Sequence, residues 1–222
     1  MEQTPAHEHH NPELLRLIPQ ASMHLVEIGC SSGALAREFK KINPRCNYLG
    51  VDVVSTYAEL AKRHCDKVVA LDIEAADEGF FSDNAIRDCW IFGDTIEHLR
   101  NPWSVLERIR DVIPQKGCVV ACIPNAQHWS VQARLCTGDF RYEDSGLLDR
   151  THLRWFTRQT MIEMFDESGF TIVEGIPRIF EEPMKETFLP VIREMAEAAG
   201  VDSDMAVNDA LAVQYVIRAM PA

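Results

Sequence analysis

Short apolar segments alternate with amphipathic ones through the first 123 residues of this chain. Each apolar segment has the length of a buried strand, and the segments between them carry apolar residues at helical spacing. Strands are predicted at Val26–Ile28, Asn47–Val53, Lys67–Glu74, Asp88–Asp94, Cys118–Ile123, Phe170–Ile176 and Val213–Ala219. Helices are predicted at Pro12–Ile18, Ala34–Lys41, Thr56–Cys65, Pro102–Val112 and Arg158–Ser168, with one more near Glu186–Ala199. The alternation predicts an α/β fold with a mainly parallel sheet and right-handed crossovers.

Polar residues mark where several of these helices begin. The residues directly before four predicted helices are Asn11, Ser55, Asn101 and Thr157. Asparagine, serine and threonine side chains accept hydrogen bonds from the free N–H groups of a first helical turn. Pro12 and Pro102 follow two of these caps, and proline is well tolerated at the first helical position.

Two long segments do not contribute to the predicted sheet. Residues 124–156 follow the fifth strand, and residues 177–205 separate the last two strands. Long connections in a compact domain are usually functional lids or site walls. We therefore expect one domain over residues 1–222, with both insertions on the side of a bound substrate and residues 1–20 as an N-terminal helix or lid.

The composition is that of an ordinary globular protein, with 46% hydrophobic and 25% charged residues among 222. No apolar run reaches the roughly 18 residues that a membrane span needs. The first eleven residues lack the basic-then-apolar layout of a signal peptide. The seven cysteines contain no C-x-x-C pair, which favours reduced thiols over a disulfide framework or zinc site. These features predict a cytoplasmic protein.

A formal net charge of −12 disfavours nucleic acid as a partner. Phosphate contacts dominate nucleic-acid binding, and an acidic surface repels the phosphate backbone. Arg150, Arg154 and Arg158 could form a local basic patch. The alternative is that they pair with the nearby acids Asp149, Glu163 or Asp166, and we expect this pairing.

The segment from Glu27 to Gly33 (Glu-Ile-Gly-Cys-Ser-Ser-Gly) is the most informative part of the chain. A glycine-bounded turn between a strand and a helix lets the backbone approach a ligand closely. The turn contains neither a P-loop lysine nor the G-x-G-x-x-G spacing of dinucleotide folds. Glu27 instead places a carboxylate beside it, which suits a ligand with a positive centre such as an ammonium or sulfonium.

Carboxylates recur at the ends of the next predicted strands. Asp52 ends the second strand, 23 residues after Gly29, while Asp72 and Asp94 occupy similar places on the third and fourth. An acid at the tip of the second strand is where nucleotide-binding α/β folds hold a ribose diol. The sequence thus predicts a cofactor with a ribose and a cationic group.

These motifs resemble those of class I S-adenosylmethionine-dependent methyltransferases. The similar segments are Glu27-Ile28-Gly29, Gly50-Val51-Asp52, Leu71-Asp72-Ile73 and Gly93-Asp94-Thr95-Ile96-Glu97-His98-Leu99. The resemblance spans about Leu25 to Ala219 and implies a Rossmann-like, mainly parallel seven-stranded sheet. In such a sheet the last strand is antiparallel and helices cover both faces. The commonest form of the turn has glycine where this chain has Ser31.

The resemblance also implies which residues bind S-adenosylmethionine and its product S-adenosylhomocysteine. The implied cofactor-binding residues are Glu27, Gly29, Cys30, Ser31, Gly33, Asp52, Val53, Asp72, Ile73, Gly93, Asp94 and Thr95. The glycine turn and Glu27 would hold the methionine part, and Asp52 the ribose hydroxyls. Val53, Asp72 and Ile73 would contact the adenine.

A narrower resemblance lies downstream, in the segment Leu148-Asp149-Arg150-Thr151-His152-Leu153-Arg154. It is similar to a bacterial methyltransferase subgroup associated with sugar, surface-polysaccharide and secondary-metabolite pathways. It implies O-methylation of a sugar-containing or other small-molecule intermediate. Open alternatives are N-methylation of a small molecule, metal-dependent 2′-O-methylation of an RNA end, and a cofactor-binding protein without catalysis.

Transfer to a hydroxyl benefits from a general base, for which histidine has a suitable titration range. We rank His128 and His152 above His98 for this role. Aromatic and polar residues in the first insertion are candidates for acceptor contacts: Trp129, Tyr142, Asp149 and Arg150.

A metal site is the less favoured interpretation of the same region. Asp94, Glu97 and His98 could share one face of a helical turn and, with His128 or His152, give mixed oxygen and nitrogen ligation. The pattern resembles that of small-RNA 2′-O-methyltransferases, although Asp94 is shorter than the glutamate found there. We therefore predict a methyltransferase without a bound metal.

Overall fold

The computed structural model describes residues 8–222 and has a seven-stranded sheet at its centre. The strands are β1 (His24–Ile28), β2 (Asn47–Asp52), β3 (Lys67–Ala70), β4 (Cys89–Gly93), β5 (Cys118–Pro124), β6 (Phe170–Arg178) and β7 (Gln214–Pro221). Their order across the sheet is β3-β2-β1-β4-β5-β7-β6. The pairs among β1 to β5 are parallel, and β7 pairs antiparallel with both β5 and β6. The predicted fold class is confirmed.

Nine helices accompany the sheet in the described part of the chain. They are α1 (Pro12–Leu17), α2 (Ala34–Ile42), α3 (Ser55–Ala61), α4 (Glu78–Asp83), α5 (Pro102–Val112), α6 (Trp129–Cys136), α7 (Arg158–Glu167), α8 (Lys185–Ala198) and α9 (Ser203–Leu211). Short 3₁₀ turns occur at Ile73–Ala75 and Ile96–His98. None of the described helices has the length and apolarity needed to cross a bilayer.

Two hydrophobic cores lie on opposite faces of the sheet because successive strand residues point to opposite sides. In β4, Trp90 and Phe92 enter the core that also contains residues of α4, α5 and α7. Their neighbours Cys89 and Ile91 enter the other core, with residues of α1, α2 and α3. Burial on both faces explains why these strands are almost continuously apolar.

Most of the predicted helix caps are confirmed. The side chains of Asn11, Asn101 and Thr157 accept hydrogen bonds from the first turns of α1, α5 and α7, and Thr157 forms a capping box with Thr160. The prediction for α3 is wrong. Ser55 is its first helical residue and the helix ends at Ala61, before Cys65.

The reason for the shifted start of α3 is the side chain of Asp52. Its Oδ1 accepts a hydrogen bond from the Val54 backbone N–H at 2.8 Å. An aspartate that bonds the backbone two residues ahead stabilises a turn by itself. The turn before α3 therefore does not depend on a serine cap.

The two insertions contain more helix than their sequences indicate. Residues 124–156 include α6, and residues 177–205 include α8, close to its predicted position, and the first part of α9. Trp129 of α6 stacks on Phe188 of α8 with ring centroids 5.4 Å apart, and Ala210 of α9 joins the same small core. The insertions thus pack on each other.

Asn125, the residue directly after β5, ties this helical layer to the sheet. Its buried side-chain amide donates to the backbone carbonyls of Asp209 and Ala212 at 2.7 and 2.8 Å. Its side-chain oxygen accepts from the Gln127 backbone N–H. These contacts fix the direction in which the chain leaves the sheet.

We expect Asn125→Ala to lower the free energy of unfolding by about 2 to 3 kcal/mol, because it leaves buried backbone groups without partners. Urea denaturation measures this difference. Thr137→Ala is the matched control, since Thr137 also bonds two backbone carbonyls but is exposed. The control should stay within about 0.5 kcal/mol of the parent. Equal losses in both variants would contradict the anchoring role of Asn125.

Candidate active site

A cavity of about 750 Å³ lies over the carboxyl ends of β1, β2 and β4. Between β1 and β4 the strand order reverses direction, and ligands of open α/β sheets bind at such a switch point. The volume is in the range of small-molecule sites. All twelve predicted cofactor residues except Gly33 line the cavity, and Gly33 begins α2 directly beside it.

The glycine turn leaves no room for side chains at two positions. At Gly29 a Cβ would lie 2.5 Å from the Thr95 hydroxyl oxygen, and at Gly33 it would lie 3.2 Å from the Ala61 Cα. Both glycines have positive φ, and so does Ser31 at +48°. Ser31 thus has the left-handed backbone conformation that glycine favours, which agrees with glycine being the commonest residue at this position of the turn. A serine adopts this conformation at a cost of about 1 kcal/mol.

Asp52 connects the glycine turn to the end of β2. One carboxylate oxygen accepts from the Ser31 backbone N–H and the other from the Val54 N–H, both at 2.8 Å. Burial raises the pKa of Asp52, and the two backbone N–H groups oppose that rise. A carboxylate has about four acceptor positions, so this side chain can also accept from a ligand in the cavity.

Glu27 lies at the floor of the cavity near the end of β1. The Tyr48 hydroxyl donates to its carboxylate at 2.9 Å. Burial raises the pKa of Glu27 to about 8; the Tyr48 hydrogen bond opposes this rise and the charge of Asp52 adds to it. Among the described residues no lysine or arginine pairs with Glu27. A cationic ligand group would supply the missing partner.

Val53, Asp72 and Ile73 lie together at one end of the cavity. The Val53 side chain is 56% exposed, whereas Ile73 is buried. Asp72 caps the 3₁₀ turn through the Glu74 N–H and also pairs with Arg100. Val53 and Ile73 give this end of the cavity an apolar surface, and Asp72 gives it a polar edge. Such an arrangement suits a flat heterocycle.

Asp94 lies at the opposite wall, at the end of β4. Its backbone has φ +52°, and its Oδ1 accepts from the side chains of Gln214 and Cys122. Burial raises the pKa of Asp94. Gln214 was not identified from the sequence, because it reaches the cavity from the antiparallel strand β7, which comes last in the chain.

Beyond Asp94, a buried polar cluster brings together Glu97, His98 and His152. The His98 Nδ1 lies 3.1 Å from both the carbonyl oxygen and the hydroxyl of Thr151. The two histidine rings are 4.9 Å apart, and the His152 Nε2 is 4.0 Å from a Glu97 oxygen. Burial raises the pKa of Glu97 well above its usual range and lowers that of His152, and the His98 charge lowers the latter further.

This cluster differs from the four-residue set considered from the sequence. Glu97, His98 and His152 offer ligand atoms within 4.8 Å of one another, and Asp94 does not belong to the group. Asp149, a predicted acceptor residue, lines the cavity beside the cluster. Its carboxylate accepts from the Thr151 hydroxyl at 2.6 Å.

Four other predicted residues do not line the cavity: His128, Trp129, Tyr142 and Arg150. His128 is buried as the N-cap of α6, and its Nε2 lies 3.1 Å from Glu182. Trp129 donates to the same glutamate. Tyr142 is 53% exposed, and Arg150 pairs with Asp144.

The pairing predicted for the downstream arginines is also different. Arg154 donates to the backbone carbonyl of Arg100, and Arg158 pairs with Asp209 at 2.8 Å. None of the predicted partners Asp149, Glu163 and Asp166 is used by these three arginines in the described ion pairs. The predicted acids are close to the arginines in the sequence, whereas Arg154 and Arg158 contact residues more than fifty positions away.

The N-terminal segment contributes more residues to the cavity wall than its sequence indicates. His9, His10 and Asn11 line the cavity together with Leu14 of α1. Residues 1–7 lie outside the described residues, and the role of residues 1–20 as a lid stays a prediction. Three histidines within the first ten residues are the only sequence signal for this contact.

Solved structures with the same fold are S-adenosylmethionine-dependent methyltransferases. One from Thermotoga maritima is 15% identical, with a TM-score of 0.62 over 94% of this chain and 88% of that one. Magnesium protoporphyrin IX methyltransferase from Synechocystis PCC 6803, solved with bound S-adenosylhomocysteine, is 8% identical. Its TM-score is 0.60 over 95% of this chain and 80% of the other.

The O-methyltransferase NcsB1 of neocarzinostatin biosynthesis is 11% identical, with a TM-score of 0.56 over 91% of this chain and 50% of its own. No curated protein sequence is similar enough to this chain to count as a relative. The family model for the methyltransferase domain matches residues 6–175. This chain therefore belongs to the methyltransferase domain family, and its fold is the class I Rossmann-like fold of S-adenosylmethionine-dependent methyltransferases.

Proposed function

We propose that this methyltransferase transfers a methyl group from S-adenosylmethionine to a hydroxyl oxygen of a small, sugar-containing biosynthetic intermediate. The observation that carries the proposal is the pair of buried carboxylates, Glu27 and Asp52, on either side of the glycine turn. Glu27 lies in β1 and Asp52 at the end of the neighbouring strand β2, so the cavity offers one carboxylate to an ammonium and another to a ribose diol.

Each part of the cofactor has a matching group in the cavity. Glu27 would pair with the amino group of the methionine part, and Asp52 would accept from the ribose hydroxyls. Val53 and Ile73 would enclose the adenine, with Asp72 and the Ile73 backbone at its edge. Bound in this way, the cofactor supplies a methyl group on a positively charged sulfur.

The acceptor would enter at the end of the cavity that holds Glu97, His98 and His152. Methyl transfer needs the acceptor oxygen, the carbon and the sulfur in line, so the protein contributes mainly by positioning. Among the described residues predicted to activate or contact the acceptor, His152 and Asp149 line the cavity. Of the two histidines predicted for activating the acceptor, this position favours His152.

A small-molecule acceptor fits the charge distribution better than RNA does. The net charge is −12, and Arg150, Arg154 and Arg158 are engaged by acids or a backbone carbonyl. The subgroup motif that suggested sugar-related pathways supplies Asp149, Thr151 and His152 at the same end. A cofactor-binding protein without catalysis would have no need of this cluster.

We expect Asp52→Asn to weaken S-adenosylhomocysteine binding about 10-fold to 100-fold, because an amide cannot accept from the ribose and from both backbone N–H groups. Calorimetric titration measures the affinity, and circular dichroism checks the fold. Asp66→Asn is the matched control, since Asp66 also accepts a backbone N–H, that of Tyr48, but does not line the cavity. Wild-type affinity in the Asp52 variant would overturn the ribose assignment.

Glu27 should make cofactor binding release a proton. With a pKa of about 8 the free enzyme holds Glu27 mostly protonated at neutral pH, and pairing with an ammonium favours the ionised form. We expect release of about one proton per S-adenosylhomocysteine bound near pH 7, and an affinity that rises with pH up to about 8. Calorimetry in buffers of different ionisation enthalpy counts the protons.

The control for this measurement is Glu27→Gln, which has no proton to lose at that position. It should bind more weakly and show no comparable release. If the variant releases as many protons as the parent, Glu27 is not the group that titrates.

We expect His152→Asn to lower turnover by about 100-fold or more without loss of cofactor affinity, because activation of an acceptor hydroxyl contributes that much. His128→Asn should remain active, since asparagine is a good N-cap for α6 and His128 does not line the cavity. Formation of S-adenosylhomocysteine with hydroxylated sugar acceptors measures both variants. The reverse order of activities would assign acceptor activation to His128.

A further inference from the structure

We propose that Glu97, His98 and His152 form a binding site for one divalent first-row transition-metal ion, such as Zn²⁺, Co²⁺ or Mn²⁺. The three residues come from the 3₁₀ turn after β4 and from the segment before α7. Among the described residues, these three side chains form a group that could hold a metal ion. Each offers one ligand atom, and the three ligand atoms lie within 4.8 Å of one another.

The hydrogen bonds of His98 determine which of its ring nitrogens is free. The Thr151 hydroxyl has one hydrogen, which it donates to the Asp149 carboxylate at 2.6 Å. Its oxygen and the Thr151 carbonyl oxygen, each 3.1 Å from the His98 Nδ1, therefore act as acceptors. The His98 Nδ1 must carry a hydrogen, so in the neutral ring the Nε2 has a free lone pair. A backbone carbonyl or carboxylate typically orients a metal-binding histidine in this way.

Glu97 lacks the partners that a buried carboxylate needs. Its side chain is 1% exposed, and neither carboxylate oxygen has a hydrogen-bond partner. A buried carboxylate without partners is costly, and such groups are usually paired or bound to a metal. Among the described residues, the basic side chain that comes nearest to pairing with Glu97 is His152, whose Nε2 lies 4.0 Å from a Glu97 oxygen, too far for a hydrogen bond.

Backbone hydrogen bonds connect Glu97 to the segment that carries His152, which favours a prearranged site. The Glu97 carbonyl accepts from the Leu153 and Arg154 N–H groups at 2.8 and 3.0 Å. These bonds fix the segment that carries His152 against the turn that carries Glu97 and His98. The Nδ1 of His152 is also buried without a hydrogen-bond partner.

The ligand set indicates the class of ion. Two imidazole nitrogens and one carboxylate are the protein ligands of many catalytic zinc sites and of other transition-metal sites with open positions. Mg²⁺ and Ca²⁺ prefer oxygen ligands throughout, so they match this cluster less well.

All three residues line the cavity, so the remaining coordination positions face the space where the acceptor would enter. This consequence rests on the proposed function: an ion here would make the acceptor hydroxyl more acidic. His152 would then act as a ligand, and the proton would leave to solvent.

The test is titration of Co²⁺ into protein freed of metal with EDTA, followed by visible d–d absorption. For the parent protein we expect absorption that saturates at one equivalent of Co²⁺. Glu97→Gln should bind Co²⁺ about 100-fold more weakly, and His98→Gln and His152→Asn should lose a comparable amount of affinity. Since the histidines at positions 7, 9 and 10 can bind Co²⁺ by themselves, the titration is made in an H7N/H9N/H10N background.

A further control is His128→Asn, which removes a buried histidine next to Glu182 outside the cavity and should bind Co²⁺ normally. Calorimetry with S-adenosylhomocysteine on each metal-free variant shows that it is folded and tests the proposed function separately. Absence of one-to-one binding in the H7N/H9N/H10N background, or binding that survives Glu97→Gln, would overturn the metal site while leaving the cofactor assignment intact.

Discussion

The carboxylate of Asp52 is the contact on which the geometry of the site depends. It bonds the Ser31 N–H in the glycine turn and the Val54 N–H in the turn before α3, so one side chain sets two loops. Hydrogen bonds to a charged acceptor are the stronger kind, and here they are buried. They hold Ser31 in a left-handed conformation that its Cβ disfavours, and they leave the carboxylate at the cavity wall. The same interaction also explains why α3 begins without a serine cap.

Buried acids give this cavity its electrostatic character. Burial raises the pKa of Glu27, Asp52 and Glu97. None of the three forms an ion pair with a lysine or arginine among the described residues. The free protein thus carries a cost that a cationic ligand would offset, which is typical of sites where function and stability compete. Glu27 belongs to β1 and Glu97 to the 3₁₀ turn after β4, so two different cations could pair with them.

The sequence predicted the sheet correctly, and the residues that it assigned to a cofactor lie around one cavity, because both depend on local signals. Strand length, glycine positions and an acid at each strand end are visible in short segments, and parallel strands bring those ends to one edge. The acceptor side depends on contacts between distant segments. Gln214 reaches Asp94 from the last strand, and α9 has a weak pattern of its own but packs on α6 and α8. No local rule identifies such partners.

His128 and His152 show this difference most clearly. His128 follows a strand and His152 follows a polar motif, and the sequence ranks them equally as candidates for activating the acceptor. Asn125 turns the chain away from the cavity directly after β5, so His128 becomes the cap of α6 and faces Glu182. The Glu97 carbonyl accepts hydrogen bonds from the segment around Leu153 and holds it near the end of β4. His152 therefore lies beside His98. In the segment Asp149–His152 the side chains of Asp149 and Thr151 orient His98, while Arg150 points away to Asp144. The motif therefore acts as a support for a residue more than fifty positions earlier, which explains why its spacing alone could not reveal its chemistry.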